Sequence, residues 1–167
     1  MPVQRALALA VLLLVAGPAL ADEPHGCDKF AWSIEDAQHR LIAAQPPGSG
    51  PLDRDAGRAV LLSLAPLAKA GLKLPPERAP KDPASFAGLV EFKSGAAAGT
   101  YAVTLSAGAW IDVIQDGKFL KPAAFTGALD CASVRKSVKF ALAPDAFTIQ
   151  VSSARADSIG LVVTPSQ

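Results

Sequence analysis

The feature that most constrains this chain is a series of short segments after residue 85 in which apolar and other side chains alternate. Tyr101, Val103 and Leu105 alternate with Ala102, Thr104 and Ser106, and Ala109, Ile111 and Val113 alternate with Trp110, Asp112 and Ile114. A period of two sends successive side chains to opposite faces of a β-strand. The same reading puts Phe86, Val90 and Phe92 on one face of an earlier strand. It puts Val134, Val138, Phe140 and Leu142 on the inner face of a later one, with Arg135, Ser137 and Lys139 outside. Phe147, Ile149 and Val151 alternate with Thr148, Gln150 and Ser152, and Ile159, Leu161 and Val163 end the series. Asp116-Gly117 is a strong two-residue hairpin signal. Short strands at roughly 8–12-residue spacing predict a mainly β fold, a sandwich or jelly roll of about seven or eight strands. Tyr101 is expected in its core.

Upstream the texture differs. Ile34, Ala37, Leu41 and Ala44 share a helical face, with Ser33 as a capping residue and Asp36 three positions on as its acidic partner. Trp32, beside Phe30 and Cys27, is expected to pack this region onto the strands. Pro46-Pro47-Gly48-Ser49-Gly50-Pro51 is a loop. Val60, Leu62 and Leu64 form a buried run that reads as strand or as helix, since so short a run does not separate the two periods. Pro75-Pro76-Glu77-Arg78-Ala79-Pro80-Lys81-Asp82-Pro83 is an extended connection, because its prolines forbid helix and interior strand alike. The resulting scheme has a leader at 1–21, an N-terminal region with a short helix and a Pro/Gly loop at 22–57, and a β-sandwich domain at 58–167.

The leader reading rests on Arg5, the apolar run Ala6–Ala16, the break at Gly17-Pro18 and the Ala19-Leu20-Ala21 site, which together have the form of a secretory signal. The run is shorter than the ~20 apolar residues of a spanning helix. Removing 21 of the 167 residues leaves 146, beginning at Asp22, with 15 basic and 15 acidic side chains. A periplasmic or secreted location and no transmembrane segment after cleavage are therefore expected. In an oxidising compartment, the two remaining cysteines, Cys27 and Cys131, are expected to pair.

Net charge near zero offers no global field for nucleic acid. There is no Gly-x-Ser-x-Gly elbow, Cys-x-x-Cys pair or Gly-rich phosphate loop. His25 and His39 are the only histidines, and both lie outside the strand series, so no metal, cofactor or catalytic residue is expected.

What remains is surface chemistry. On the alternation above, Trp110 and Asp112 point away from the core, as do Arg135 and Lys139. An exposed indole beside polar groups suits stacking on a sugar or anchoring a protein contact. These four residues are the candidate binding face, its partner an unidentified periplasmic protein or glycan. The competing reading has Trp110 covered by the N-terminal helix or the proline-rich connection, and Arg135-Lys136 as a charged strand edge that blocks edge-to-edge pairing.

The segments Cys27-Asp28-Lys29-Phe30-Ala31-Trp32, Pro75-Pro76-Glu77-Arg78, Ala98-Gly99-Thr100-Tyr101, Ala109-Trp110-Ile111-Asp112-Val113, Gln115-Asp116-Gly117, Asp130-Cys131 and Arg135-Lys136-Ser137-Val138 together resemble a family of small exported alphaproteobacterial proteins without an established activity. Some members carry the label homogentisate dioxygenase. That label implies iron held by two His and a carboxylate, for which His25 and His39 are the only imidazoles here. The Gly-Thr-Tyr-x-Val-x-Leu strand is similar, in fold, to pre-peptidase C-terminal β-sandwich modules. The expectation is an exported, non-catalytic binding module. The alternatives are a small periplasmic enzyme, either a carboxylate-based hydrolase or a metal-dependent dioxygenase, and a structural envelope factor or chaperone without a pocket.

Overall fold

The computed structural model describes residues 23–166; the leader reading at 1–21 lies outside the described residues. The alternating segments become two five-stranded antiparallel sheets. The first is ordered β1 (Val60–Ser63), β10 (Ser158–Pro165), β4 (Gly99–Leu105), β8 (Lys136–Leu142) and β7 (Ala124–Gly127). The second is ordered β2 (Ala65–Pro66), β3 (Phe86–Phe92), β9 (Phe147–Ala154), β5 (Trp110–Gln115) and β6 (Lys118–Phe119). The chain moves from the first sheet to the second across Leu64, so the ambiguous run is strand over Val60–Ser63, with Leu64 the link to β2. Among the described residues ten strands stand where seven or eight are expected, because β2 and β6 are dipeptides and the β7 sequence Ala-Phe-Thr-Gly carries no alternation.

The inner faces meet as predicted. Tyr101, Val103 and Leu105 of β4 and Val138, Phe140 and Leu142 of β8 pack in one buried cluster with Ile111, Val113, Phe147, Ile149 and Val151 of the opposite sheet. Phe92 and Phe147 stack with ring centroids 4.7 Å apart. The Asp116-Gly117 turn joins β5 to β6 with both residues at positive φ (51° and 70°), the geometry that favours Asp-Gly in two-residue hairpins. Val134 departs from its predicted place. Positive φ at Asp130 and Ser133 turns the chain just before β8, so Val134 falls out of the strand parity and is buried in a second cluster instead.

That second cluster is the N-terminal region laid on the outer face of the first sheet. Helix α1 (Glu35–Ile42) buries Ala37 and Leu41, which with Ile34 meet Val162 of β10 and Val134. Ile34 occupies the N-cap position and no side chain caps the helix. The predicted Ser33 cap falls one residue early, its hydroxyl only 3.5 Å from the Glu35 N–H, and Asp36 pairs with Arg40 at 2.8 Å. Trp32 packs this cover onto the sheet as expected, its indole N–H donating to Ser137 Oγ at 3.2 Å. The Cys27–Cys131 disulfide ties the cover to the loop after β7.

The proline-rich connection crosses the outer face of the second sheet as a strap. Gln150 Oε1 accepts the Lys73 and Leu74 N–H groups at 2.6 and 3.1 Å, and Gln150 Nε2 donates to the Leu74 carbonyl at 3.0 Å. At the far end of the sandwich, Arg54 is only 1 % exposed and lies over the Tyr101 ring. It donates to the carbonyls of Ala97 and Ala143 and pairs with Asp55. Gly95 is required beside it, since a Cβ there would sit 1.8 Å from a guanidinium nitrogen.

Candidate ligand cleft

The four candidate binding residues do not form one face. Trp110 and Asp112 lie on β5 of the second sheet and Lys139 on β8 of the first, so their outward directions are opposed. Neither outward face is bare. Lys139 Nζ lies over the Trp32 ring, 4.6 Å from its centroid. Asp112 is only 3 % exposed, under the strap. Its Oδ1 accepts the Trp110 indole N–H at 2.7 Å and its Oδ2 accepts the Glu77 N–H at 3.2 Å. The predicted solvent face therefore fails for a tertiary reason: alternation shows which side of its strand a residue takes, and here both outer sides carry a cover.

Trp110 and Arg135 do come together, at the edge of the sandwich between β7–β8 and β5. There a cleft of about 510 Å³ is lined by Ile111, Val138, Ala109, Pro122, Phe125 and Trp110. Phe125 pairs directly opposite Val138, so it projects from the inward side of β7. It is nevertheless 75 % exposed, because nothing among the described residues covers that side.

A second cleft of about 770 Å³ adjoins the first. It is lined by Arg78, Lys81, Lys136, Arg155, Ser85 and Ser153 among others. Glu23, Arg78, Ala109, Trp110 and Lys136 belong to both, so the two form the arms of one groove with Trp110 at the junction. The Arg78 guanidinium and the Lys136 ammonium lie over the indole, 5.2 and 5.1 Å from its centroid, an arrangement favoured by the ring quadrupole. Asp112 holds the indole orientation from beneath.

The buried polar groups are tuned by their surroundings. Burial pushes the Asp112 carboxyl up, against the opposing hydrogen bonds from Trp110 and Glu77. Burial, then the neighbouring charges of Arg135 and Arg78, hold the Lys136 ammonium below the usual lysine range. Lys136 also donates to the Ala109 carbonyl at 3.3 Å. Arg135 forms an ion pair with Glu23 at the mouth. Lys136 is thus no charged strand edge. It shares the inward parity of Val138, a signal present in the sequence; for Arg78 and Phe125, no comparable signal exists.

The histidines lie elsewhere. His25 Nδ1 is 2.6 Å from Asp130, and His39 is 3.9 Å from Glu35 on the exposed side of α1. Among the described residues no three His, Cys, Asp or Glu side chains converge. The two-His, one-carboxylate iron site implied by the dioxygenase label does not fit these residues. No family model, curated protein or solved structure matches the chain, so the fold and its groove define the class: a mainly β sandwich with an open lateral cleft.

Proposed function

We propose that this chain is an exported, non-catalytic binding module, related to the family it resembles, whose ligand sits in the lateral cleft between β7–β8 and β5. The observation that carries the reading is Phe125, a large ring held out over an apolar cleft that Trp110, Ile111 and Val138 line. The cleft has the size and the mostly apolar lining of small-molecule sites. The Cys27–Cys131 disulfide supports an oxidising compartment. The polar groups around the indole support recognition over chemistry, since Asp112 is already bonded to Trp110 and Glu77.

The test is titration with the neutral apolar dye N-phenyl-1-naphthylamine. Saturable one-to-one binding is expected in the intact protein. Phe125→Ser is expected to weaken it roughly tenfold, from the loss of an aromatic ring's burial. Phe125 is exposed, so this variant keeps the fold, whereas Trp110→Ala would also strip a partner from buried Asp112. Absence of saturable binding, or unchanged affinity in Phe125→Ser, overturns the reading.

A further inference from the structure

The two arms of the groove differ in chemistry. One is walled mainly by Phe125, Val138, Ile111 and Pro122; its own cation, Arg135, is paired with Glu23, and Arg78 and Lys136 stand where it meets the other arm. The other gathers Arg78, Lys81, Lys136 and Arg155. Of the acids nearby, Glu77 on the strap is exposed and forms no ion pair among the described residues, and the others are engaged. Asp82 accepts the Ala84 N–H at 2.8 Å, Glu23 pairs with Arg135, and Asp112 is bonded under the strap. Among the described residues Arg78, Lys81, Lys136 and Arg155 form no ion pair. The Ser85 hydroxyl in the same wall is buried and has no hydrogen-bond partner there. A sugar stacks on a bare indole face, but here two cations lie over Trp110. Glu23 at the mouth already sets a carboxylate against a cation of the groove.

We infer that the groove takes a free amphipathic organic anion, its apolar body under Phe125 and its carboxylate or phosphate head past Trp110 among Arg78, Lys81, Lys136 and Arg155. This deepens the binding-module reading and rests on it. Trp110 then acts as the neck, with one edge toward the apolar body and its attendant cations toward the head. Lys136 contributes more than its exposed neighbours, because a half-buried charge is less screened.

The experiment is displacement of N-phenyl-1-naphthylamine from the full mature protein at low salt by decanoate and by decanol, which share a body and differ in head charge. Decanoate is expected to bind about fivefold more tightly than decanol, from several partly screened charge pairs. That preference is expected to shrink as salt rises. The double variant Lys81→Gln/Arg155→Gln alters two exposed side chains and is expected to reduce the preference about twofold, since Arg78 and Lys136 remain, while leaving decanol and dye affinities unchanged. Decanol binding as well as decanoate, or a preference undiminished in the double variant, overturns the anion proposal while the cleft stands. Failure of the dye to bind removes the cleft reading itself. Co-sedimentation with phosphatidylglycerol vesicles without any response to decanoate assigns the anion to a membrane surface and overturns the proposal of a free ligand.

Discussion

Gln150 fastens the strap that carries Glu77 and Arg78 to the groove, and replacing it with Met tests whether that fastening matters. The side chain is fully buried on the outer face of β9. It makes three hydrogen bonds to the strap backbone, accepting from Lys73 and Leu74 and donating to the Leu74 carbonyl. Met keeps the length and apolar volume and removes every polar atom. At about 1 kcal/mol net per hydrogen bond, Gln150→Met costs about 3 kcal/mol. In a domain of this size that lowers the melting temperature by roughly 10 °C. Urea titration gives the free energy, and amide hydrogen exchange at Lys73 and Leu74 shows where it is lost. Both amides are expected to lose protection well before those of β9 itself. With the strap loosened, Arg78 is no longer held over Trp110, so the decanoate preference falls while dye binding under Phe125 persists. A loss below about 1 kcal/mol, or unchanged protection at Lys73 and Leu74, would refute the assignment of the strap to Gln150.

Two further perturbations probe the rest of the frame. The disulfide spans 104 residues of sequence, so its reduction is expected to cost at most about 5 kcal/mol on loop-closure entropy; identical urea midpoints with and without dithiothreitol would show that it contributes nothing. The Ala96 N–H, then the Arg54 guanidinium, hold the Asp55 carboxyl below the usual carboxylate range. A carboxyl depressed in the folded state stabilises above its unfolded pKa of about 3.9, and that contribution is lost as pH falls through the lower folded value. The urea midpoint of the parent chain is therefore expected to fall more steeply below about pH 4 than that of Asp55→Asn; parallel curves would remove Asp55 from the acid response.

The strands were legible because each one alternates over four residues or more with a side chain large enough to mark the inner face. Val138, Phe140 and Leu142 illustrate this, and so does the Asp-Gly turn after β5. Where the pattern was short or broken, legibility stopped. β7 has no alternation, and Val134 lost its parity to a turn whose positive φ values fall on Asp130 and Ser133. Of the candidate site, the sequence named Trp110 and Arg135, placed Asp112 and Lys139 in the open when Asp112 is buried and Lys139 half-buried over Trp32, and gave no sign of Arg78 or of the exposure of Phe125. Lys136 was readable from its parity with Val138, since an inward lysine at a strand's first residue is a charge at the end of an apolar face.

The amino-acid sequence by itself determined the two-sided strands, the hairpin, the helical face of Ile34, Ala37 and Leu41, and the cysteines available for pairing, because each depends on residues close in the chain or on the absence of any other partner. Only the tertiary structure decided what lies over each outer face and where the sandwich stays open. Those outcomes depend on contacts between segments such as Gln150 and Leu74, 76 residues apart, or Trp32 and Ser137, 105 apart. No local periodicity encodes which buried polar group a distant backbone will meet, so the groove at Trp110 exists only once the strap and the two sheets are in place.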